Sequence, residues 1–441
     1  MRPGRAFRAL RYRDFQLLFA AFLLSQSGFW ITHISLQGLM AREGGNDPLI
    51  QGLLAFVIYL PGFLLAPPAG LLADRVSRKA IALACQAGIA LLSGGLAALV
   101  WLAAATPEHV LVLAFGLGVC FAFTGPAQGA LIANSVPRAE LGSAVSLHSA
   151  LNNLTRVAGP ALAAPLLATG RFELAFAYYA LAVALAAGLV LALRVAPLAP
   201  ALEKSGVLRR MWLGFEHARS RPPALPSLSL VAVLSLFGVA HSVLLPVFAE
   251  RALGRMEWFA GMAVATGVGA IGGALTSGFR PPDLRAGARD LVLYGAALAL
   301  FSLTRHAAAA LLCQALAGYF YFSLTTNLQT LIQERIDDAM RGRVMSLFGV
   351  CWGGLVPFGG LAMGGAARGL GVRATIGIGA GVCIAYGLAI WWIAGRWPPQ
   401  TPGLHTPSAR ETTSRAASSS SLRRSWARQR SRLWSARSVR K

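Results

Sequence analysis

The chain has 441 residues, 56% of them hydrophobic and 13% charged, with a mean hydropathy of +0.58. Soluble domains carry about 25% charged residues, so a water-soluble enzyme or binding module of this length is excluded. A net charge of +23 would suit a nucleic-acid binder, but the basic residues sit in short breaks between apolar runs and serve topology instead.

Arg2, Arg5, Arg8, Arg11 and Arg13 open the sequence, and the apolar run behind them continues to about Leu39. A cleaved signal peptide has a shorter apolar core, so a retained first membrane helix is expected over 15–39. Runs of about 18 or more apolar residues are long enough to cross a bilayer as helices. They recur over 49–73, 80–104, 109–133, 143–167 and 173–195, and again over 226–249, 258–279, 289–304, 307–331, 344–366 and 373–396. The expected fold class is an all-α membrane protein of twelve transmembrane helices in two six-helix bundles, residues 1–195 and 226–396. A polar central loop, 196–225, joins them, and a basic tail, 397–441, follows. Over 398–441 the tail holds ten Lys or Arg against one acid, Glu411. Such a segment has too little apolar surface to bury a core and is expected to be disordered.

Thirty-two of the 40 Lys and Arg fall in the N-terminus, the even-numbered loops and the tail. Seven fall in the opposite loops, and Arg156 lies inside a span. This positive-inside bias places both termini in the cytoplasm of a bacterium, with the chain multi-pass in the inner membrane. Ala139, Gly142, Ser146, Leu147 and Gly159 recur 200 residues later as Ala339, Gly342, Ser346, Leu347 and Gly359. Both copies lie at the fifth span of their half, as duplicated bundles require. The five cysteines lie within apolar spans without metal or redox spacing and read as packing residues.

Between the second and third spans stands Gly70-Leu71-Leu72-Ala73-Asp74-Arg75-Val76-Ser77-Arg78-Lys79. It resembles the loop signature G-x-L-[AS]-D-R-x-[GP]-R-[RK] of the major facilitator superfamily at every fixed position except Ser77. With the span order, the resemblance covers roughly residues 10–396. It implies that Gly70, Asp74, Arg75, Arg78 and Lys79 form a gating loop. On physical grounds a carboxylate at a helix end can latch one bundle to the other through charge-assisted hydrogen bonds. Gly159-Pro160 in the fifth span is similar to the G-P-x-x-G-G element of drug and metabolite exporters, with Ala163 and Ala164 in place of its two glycines. A Gly-Pro pair bends a membrane helix and admits a close neighbour.

Arg156 must face a cavity or a partner, since a charge in mid-bilayer is costly. Asn152 and His148 share its face. Polar stripes at helical spacing occur in the first span (Gln26, Trp30, His33, Gln37), the fourth (Thr124, Gln128) and the tenth (Tyr319, Ser323, Asn327), and His241 stands in the seventh. Turned inward, these residues would line one wet substrate cavity. No Asp or Glu is expected in mid-span, and Glu250 ends a helix. A coupling proton would therefore fall to a histidine.

No phosphate loop, nucleophile elbow or metal cluster appears, so neither catalysis nor a cofactor nor a metal is expected. The chain looks like the bacterial branch of siderophore and drug effluxers related to enterobactin exporters. This resemblance implies a secondary transporter that exports small molecules by alternating access, as a monomer in the lipid bilayer and without nucleic acid. The alternatives are a lysophospholipid flippase of a neighbouring branch and a sensor or scaffold that no longer transports.

Overall fold

The computed structural model describes residues 7–194, 207–220 and 222–396, apart from the side chains at 66–68, 70–71, 73–75, 126, 130, 207–208, 210 and 338–339. The tail over 397–441, expected to be disordered, lies outside the described residues. Helices and turns, with no strand, make up what is described. The helices are α1 (Arg13–Glu43), α2 (Pro48–Arg75), α3 (Arg78–Trp101), α4 (Pro107–Ser135), α5 (Leu141–Thr169), α6 (Phe172–Leu191) and α7 (Val207–Ser220). There follow α8 (Ala224–Leu253), α9 (Glu257–Ser277), α10 (Leu284–Leu303), α11 (Ala307–Arg335), α12 (Met340–Leu370) and α13 (Val372–Gly395).

Local sequence fixes the helix ends. Asp47 caps α2 by accepting from the Leu49 N–H, with Pro48 as the first helical residue. Ser77, Thr106 and Asp283 cap α3, α4 and α10 in the same way, each side-chain oxygen taking an otherwise orphaned N–H. Gly170 and Gly254 adopt the left-handed conformation that ends α5 and α8.

Among the described residues eleven helices are long and apolar enough to cross a membrane. α5 is not among them, although its 29 residues are ample in length. Ser143, Ser146, His148, Ser149, Asn152, Asn153 and Arg156 crowd its first half. α5 packs against α1 on one side and α9 on the other, and Ser143, His148, Asn152, Asn153 and Arg156 are partly buried, whereas Ser146 and Ser149 are exposed. Leu154 and Leu162 remain on its exposed side.

Two differences from the sequence expectation stand out. The central loop contains α7, in which Met211, Gly214 and Ala218 repeat at helical spacing and turn inward. Gly214 lies against the Arg343 carbonyl near the start of α12, an approach a side chain would obstruct. The second difference is in α10, which begins at Leu284 because Asp283 caps it, so Asp290 falls inside the helix. That carboxylate is buried, bound by Arg289 at 2.9 Å and by the Ser323 hydroxyl at 2.6 Å. A buried acid is tolerated only with such partners.

The first six helices pack largely through α1 with α5 and α6, α3 with α4 and α6, and α2 with α4. In the second set, α11 packs on α9 and α10. The main crossings between the sets are α2 on α12 and α5 on α9. The α2–α12 seam is closed by small residues. A Cβ on Gly52 would stand 2.6 Å from the Gly360 carbonyl oxygen, and one on Gly364 would stand 2.5 Å from that of Pro48. Phe56 and Phe63 then meet Phe358 edge-on at 5.8 and 5.4 Å.

Gly52→Val is therefore expected to destabilise the folded protein by at least the ~1–3 kcal/mol typical of overpacking. A lowered melting temperature in detergent and early aggregation on size exclusion check it. Gly129→Ala, where an added Cβ meets open space, should melt like the wild type.

Candidate functional site

A cavity of about 530 Å³ lies between the two sets of helices and takes its wall from both. That volume suits a small organic molecule. On the first set, α1 presents a polar stripe. Gln26 Nε2 donates to Asn152 Oδ1 on α5 at 2.7 Å, and His33 and Gln37 meet through their side-chain nitrogens at 3.1 Å. Gln51 of α2 donates to the Gln37 carbonyl at 2.9 Å, which ties α2 to the same stripe. Thr124 and Gln128 of α4 also line the wall, with the Thr124 hydroxyl bonded to the Cys120 carbonyl at 2.8 Å.

Arg156 occupies the centre of this arrangement. Its guanidinium carbon lies 5.0 Å from the Trp30 ring centroid on α1 and 4.8 Å from that of Phe322 on α11. One aromatic face thus comes from each set, and such faces attract a cation. Gly159, one turn further along α5, makes the approach possible, because a Cβ there would overlap Cβ of Trp30. Pro160 follows it on the cavity wall.

On the second set the wall is built around two interrupted helices. α8 passes through a π-turn at Leu234–Gly238 and a tight turn at Val239–Leu244, and α12 passes through a π-turn at Val350–Gly354. Pro246 and Pro357 follow these breaks, and each deprives a carbonyl four residues earlier of its N–H. The breaks touch each other where the Ser235 hydroxyl donates to the Trp352 carbonyl at 3.0 Å. His241 sits in the α8 break with Nδ1 2.7 Å from the Gly238 carbonyl. A carbonyl only accepts, so Nδ1 carries the proton and Nε2 accepts from Gln314 at 3.1 Å. Thr266 completes the chain by donating to Gln314 Oε1 at 3.2 Å.

The sequence-derived candidates divide cleanly. Gln26, Trp30, His33, Gln37, Thr124, Gln128, Asn152, Arg156 and His241 all lie on the cavity wall. The α11 stripe does not, which corrects the expectation for Tyr319, Ser323 and Asn327. Tyr319 accepts from the Thr276 hydroxyl at 2.8 Å, Ser323 binds Asp290, and Asn327 bonds the backbone of Asp283. These side chains glue α11 to α9 and α10, and Gln314, Tyr321 and Phe322 face the cavity from the other side of α11. The His148 ring lies tilted against Phe22 with centroids 3.8 Å apart, beside a smaller pocket that shares Ser25, Gln86, Thr124 and Gln128 with the cavity. In the loop after α2, the side chains of Asp74 and Arg75 and the detail at Gly70 lie outside the described residues. Lys79 donates to the Leu191 and Leu193 carbonyls at 2.8 and 2.9 Å and holds α3 to the end of α6. Arg78 begins α3. Sequence reasoning missed Gln51, Tyr59, Gln86, Thr266, Gln314 and Tyr321, single polar residues whose helices show no stripe through them.

The bundle end that holds the α1–α2 turn is tied shut between the sets. Asn46 Nδ2 donates to Glu250 Oε2 at 2.6 Å, Arg251 donates to the Asn46 carbonyl at 2.9 Å, and Arg368 lies 3.4 Å from Asp47.

The major facilitator superfamily model matches residues 18–355. The chain belongs to the major facilitator superfamily. Among curated relatives, the staphyloferrin A transporter of Staphylococcus aureus is 26% identical over 372 residues, which is 82% of this chain and 91% of the relative. Macrolide efflux protein A of Streptococcus pyogenes is 25% identical over 370 residues, covering 79% and 89%. A solved POT family transporter bound to a thioalcohol-conjugated peptide superposes with a TM-score of 0.72 at 13% identity, over 87% of this chain and 96% of that one. A bacterial homolog of the human lysosomal transporter Spinster, inward-facing and unoccupied, gives 0.63 at 15% identity, over 91% and 100%. As a major facilitator superfamily member with this fold, the chain is a multi-pass membrane transporter of small molecules.

The tied end yields a direct test. Asn46→Ala or Glu250→Ala removes one cross-set hydrogen bond, and Glu250 is exposed, so a modest shift is expected. On a background lacking the native cysteines, Gln51→Cys should react several-fold faster with a membrane-impermeant maleimide when either change is present. An unchanged labelling rate would show that this contact does not hold the end closed.

Proposed function

We propose that this transporter exports small molecules from the bacterial cytoplasm by alternating access through the cavity around Arg156. The observation that carries this reading is the cavity itself, which is enclosed by both sets of helices and crossed by a charged side chain held between them. Residues 1–195 and 226–396 are proposed to rock as two bundles about the α2–α12 and α5–α9 seams. The Asn46–Asp47 ties close one end, and the Asp74 loop latches the other. The charge bias of the sequence supports cytoplasmic termini in the inner membrane, so the Asn46 end would face outward. Export is supported by the similarity of Gly159-Pro160 to the exporter element and by the likeness to a macrolide efflux protein. A proton is the proposed coupling ion, with His33 and His241 as its carriers, since they are the imidazoles on the cavity wall. The working unit is proposed to be the monomer, because the cavity is complete within one chain.

Gly125 lines the cavity, and a side chain added there meets open space. Gly125→Trp should therefore fold normally and largely abolish flux of a loaded compound from proteoliposomes. Wild-type flux in that variant would rule the cavity out as the pathway. Asp74→Asn should slow flux without loss of folded protein. Deleting residues 398–441 should leave flux intact, whereas a tail-driven sensor or scaffold would lose its function.

A further inference from the structure

The charge of the cavity is unbalanced. Among the described residues Arg156 is the one Lys or Arg on its wall, and no Asp or Glu stands there. Trp30 and Phe322 cover the guanidinium through their faces, yet its N–H groups make no hydrogen bond or ion pair among the described residues. The planar fork is thus held in place with its donors free, the arrangement that receives two oxygens of an oxyanion side by side. A cation entering the same space would meet an uncompensated positive charge in a medium of low polarity.

A second, independent set of groups on the wall is also without partners. Gln51 is buried, and its amide nitrogen is spent on the Gln37 carbonyl, which fixes its orientation and leaves Oε1 as an unmatched acceptor. Gln37 Oε1 and Gln86 Oε1 likewise have no partner, and the Trp30 indole N–H is an unmatched donor. Buried polar groups are normally satisfied; these atoms are closed off from the open cavity, so a ligand's hydroxyl or amide N–H donors would meet them once the side chains turn toward it. Along α1 the seven residues from Trp30 to Gln37 rise about 10 Å, a distance one small molecule can bridge.

We propose that the substrate is a small organic anion bearing several hydroxyl or amide N–H groups. Its carboxylate or similar oxyanion pairs with Arg156 and the Trp30 indole, and its donors reach Gln37 and Gln51. This rests on the reading of the cavity as the transport site. It assigns Arg156 the discrimination of charge and the two glutamines the discrimination of polar from plain anions.

Three probes separate the requirements: quinate, a cyclic polyhydroxy carboxylate; its methyl ester, with the hydroxyls and no charge; and cyclohexanecarboxylate, with the charge and no hydroxyls. Binding to the purified full-length protein is read by thermal shift and by quenching of tryptophan fluorescence. Quinate is expected to bind best, cyclohexanecarboxylate weaker and the ester weakest. Arg156→Gln should weaken quinate by about 30-fold or more, the loss usual for removing one partner of a buried charge pair, and Arg156→Lys should recover part of it. Gln37→Leu with Gln51→Leu should bring quinate down to cyclohexanecarboxylate and leave the latter unchanged, which a general folding defect would not do. Equal binding of ester and acid, a preference for a lipophilic cation, or no stabilisation by either anion overturns the proposal. Flux of some other compound that Gly125→Trp abolishes would then leave the transport reading standing. Quinate binding with no flux of any loaded compound would sink the transport reading and, with it, the assignment of a substrate, leaving Arg156 as an anion-binding site only.

Discussion

A guanidinium inside a membrane-embedded helix has to be solvated by protein, because hydrocarbon offers it neither dipoles nor counter-charge. Arg156 places that demand on α5, and much of the central architecture answers it. Trp30 and Phe322 supply aromatic faces from opposite sets of helices. Gly159 lets α5 close on α1, and Gly267 of α9 lies against Val157, where an added Cβ would be 2.9 Å from a methyl carbon. α5 is held on both flanks by these contacts, and this is why a helix too polar for hydropathy alone still takes its place in the bundle. Two of the polar residues that hide it from a hydropathy count, Asn152 and Arg156, line the cavity.

Apolar length, capping residues and charge asymmetry are local properties, and they made the helices legible to within a few residues at most ends. α5, expected over 143–167, runs Leu141–Thr169. The inward stripes of α1 and α4 were legible too, because lipid leaves a polar row one direction to turn. α11 defeats the same reasoning because it is polar on two sides. Tyr319, Ser323 and Asn327 find partners on α9 and α10, and Gln314 and Tyr321 take the cavity. Which row faces which neighbour is set by packing between distant segments, and no spacing within one helix encodes it. Asp290 escaped for a related reason. Its burial depends on Ser323, 33 residues away, and on a cap that extends α10 past the apolar run. The helix in the central loop was missed because its inward residues, Met211, Gly214 and Ala218, include two too small to mark an apolar face.

Polar groups divide between two tasks here. Some join helices permanently: Asp290 with Ser323, Lys79 with the end of α6, and Asn327 with Asp283. Others join the two sets of helices at places where separation would break them: Asn46 with Glu250, Asp47 with Arg368, and Arg156 with Phe322. The permanent ties lie within a set and favour movement of each set as a body. The separable ties lie between sets and are few and partly exposed, so each adds little to the barrier.

The π-turns of α8 and α12 give the cavity two walls of different mechanical character. α1, α4 and α5 run through the first wall as uninterrupted helices cross-linked by Gln26 with Asn152 and by Gln51 with Gln37. The opposite wall is made where helical hydrogen bonding has already been given up, so bending there breaks few further bonds. On the proposed transport reading, adjustment to ligands of different girth is concentrated on one side of the cavity, near His241 and Trp352. The arginine and its glutamines keep a fixed frame of reference on the other. A carrier built this way can hold its chemical selectivity constant while remaining tolerant of shape.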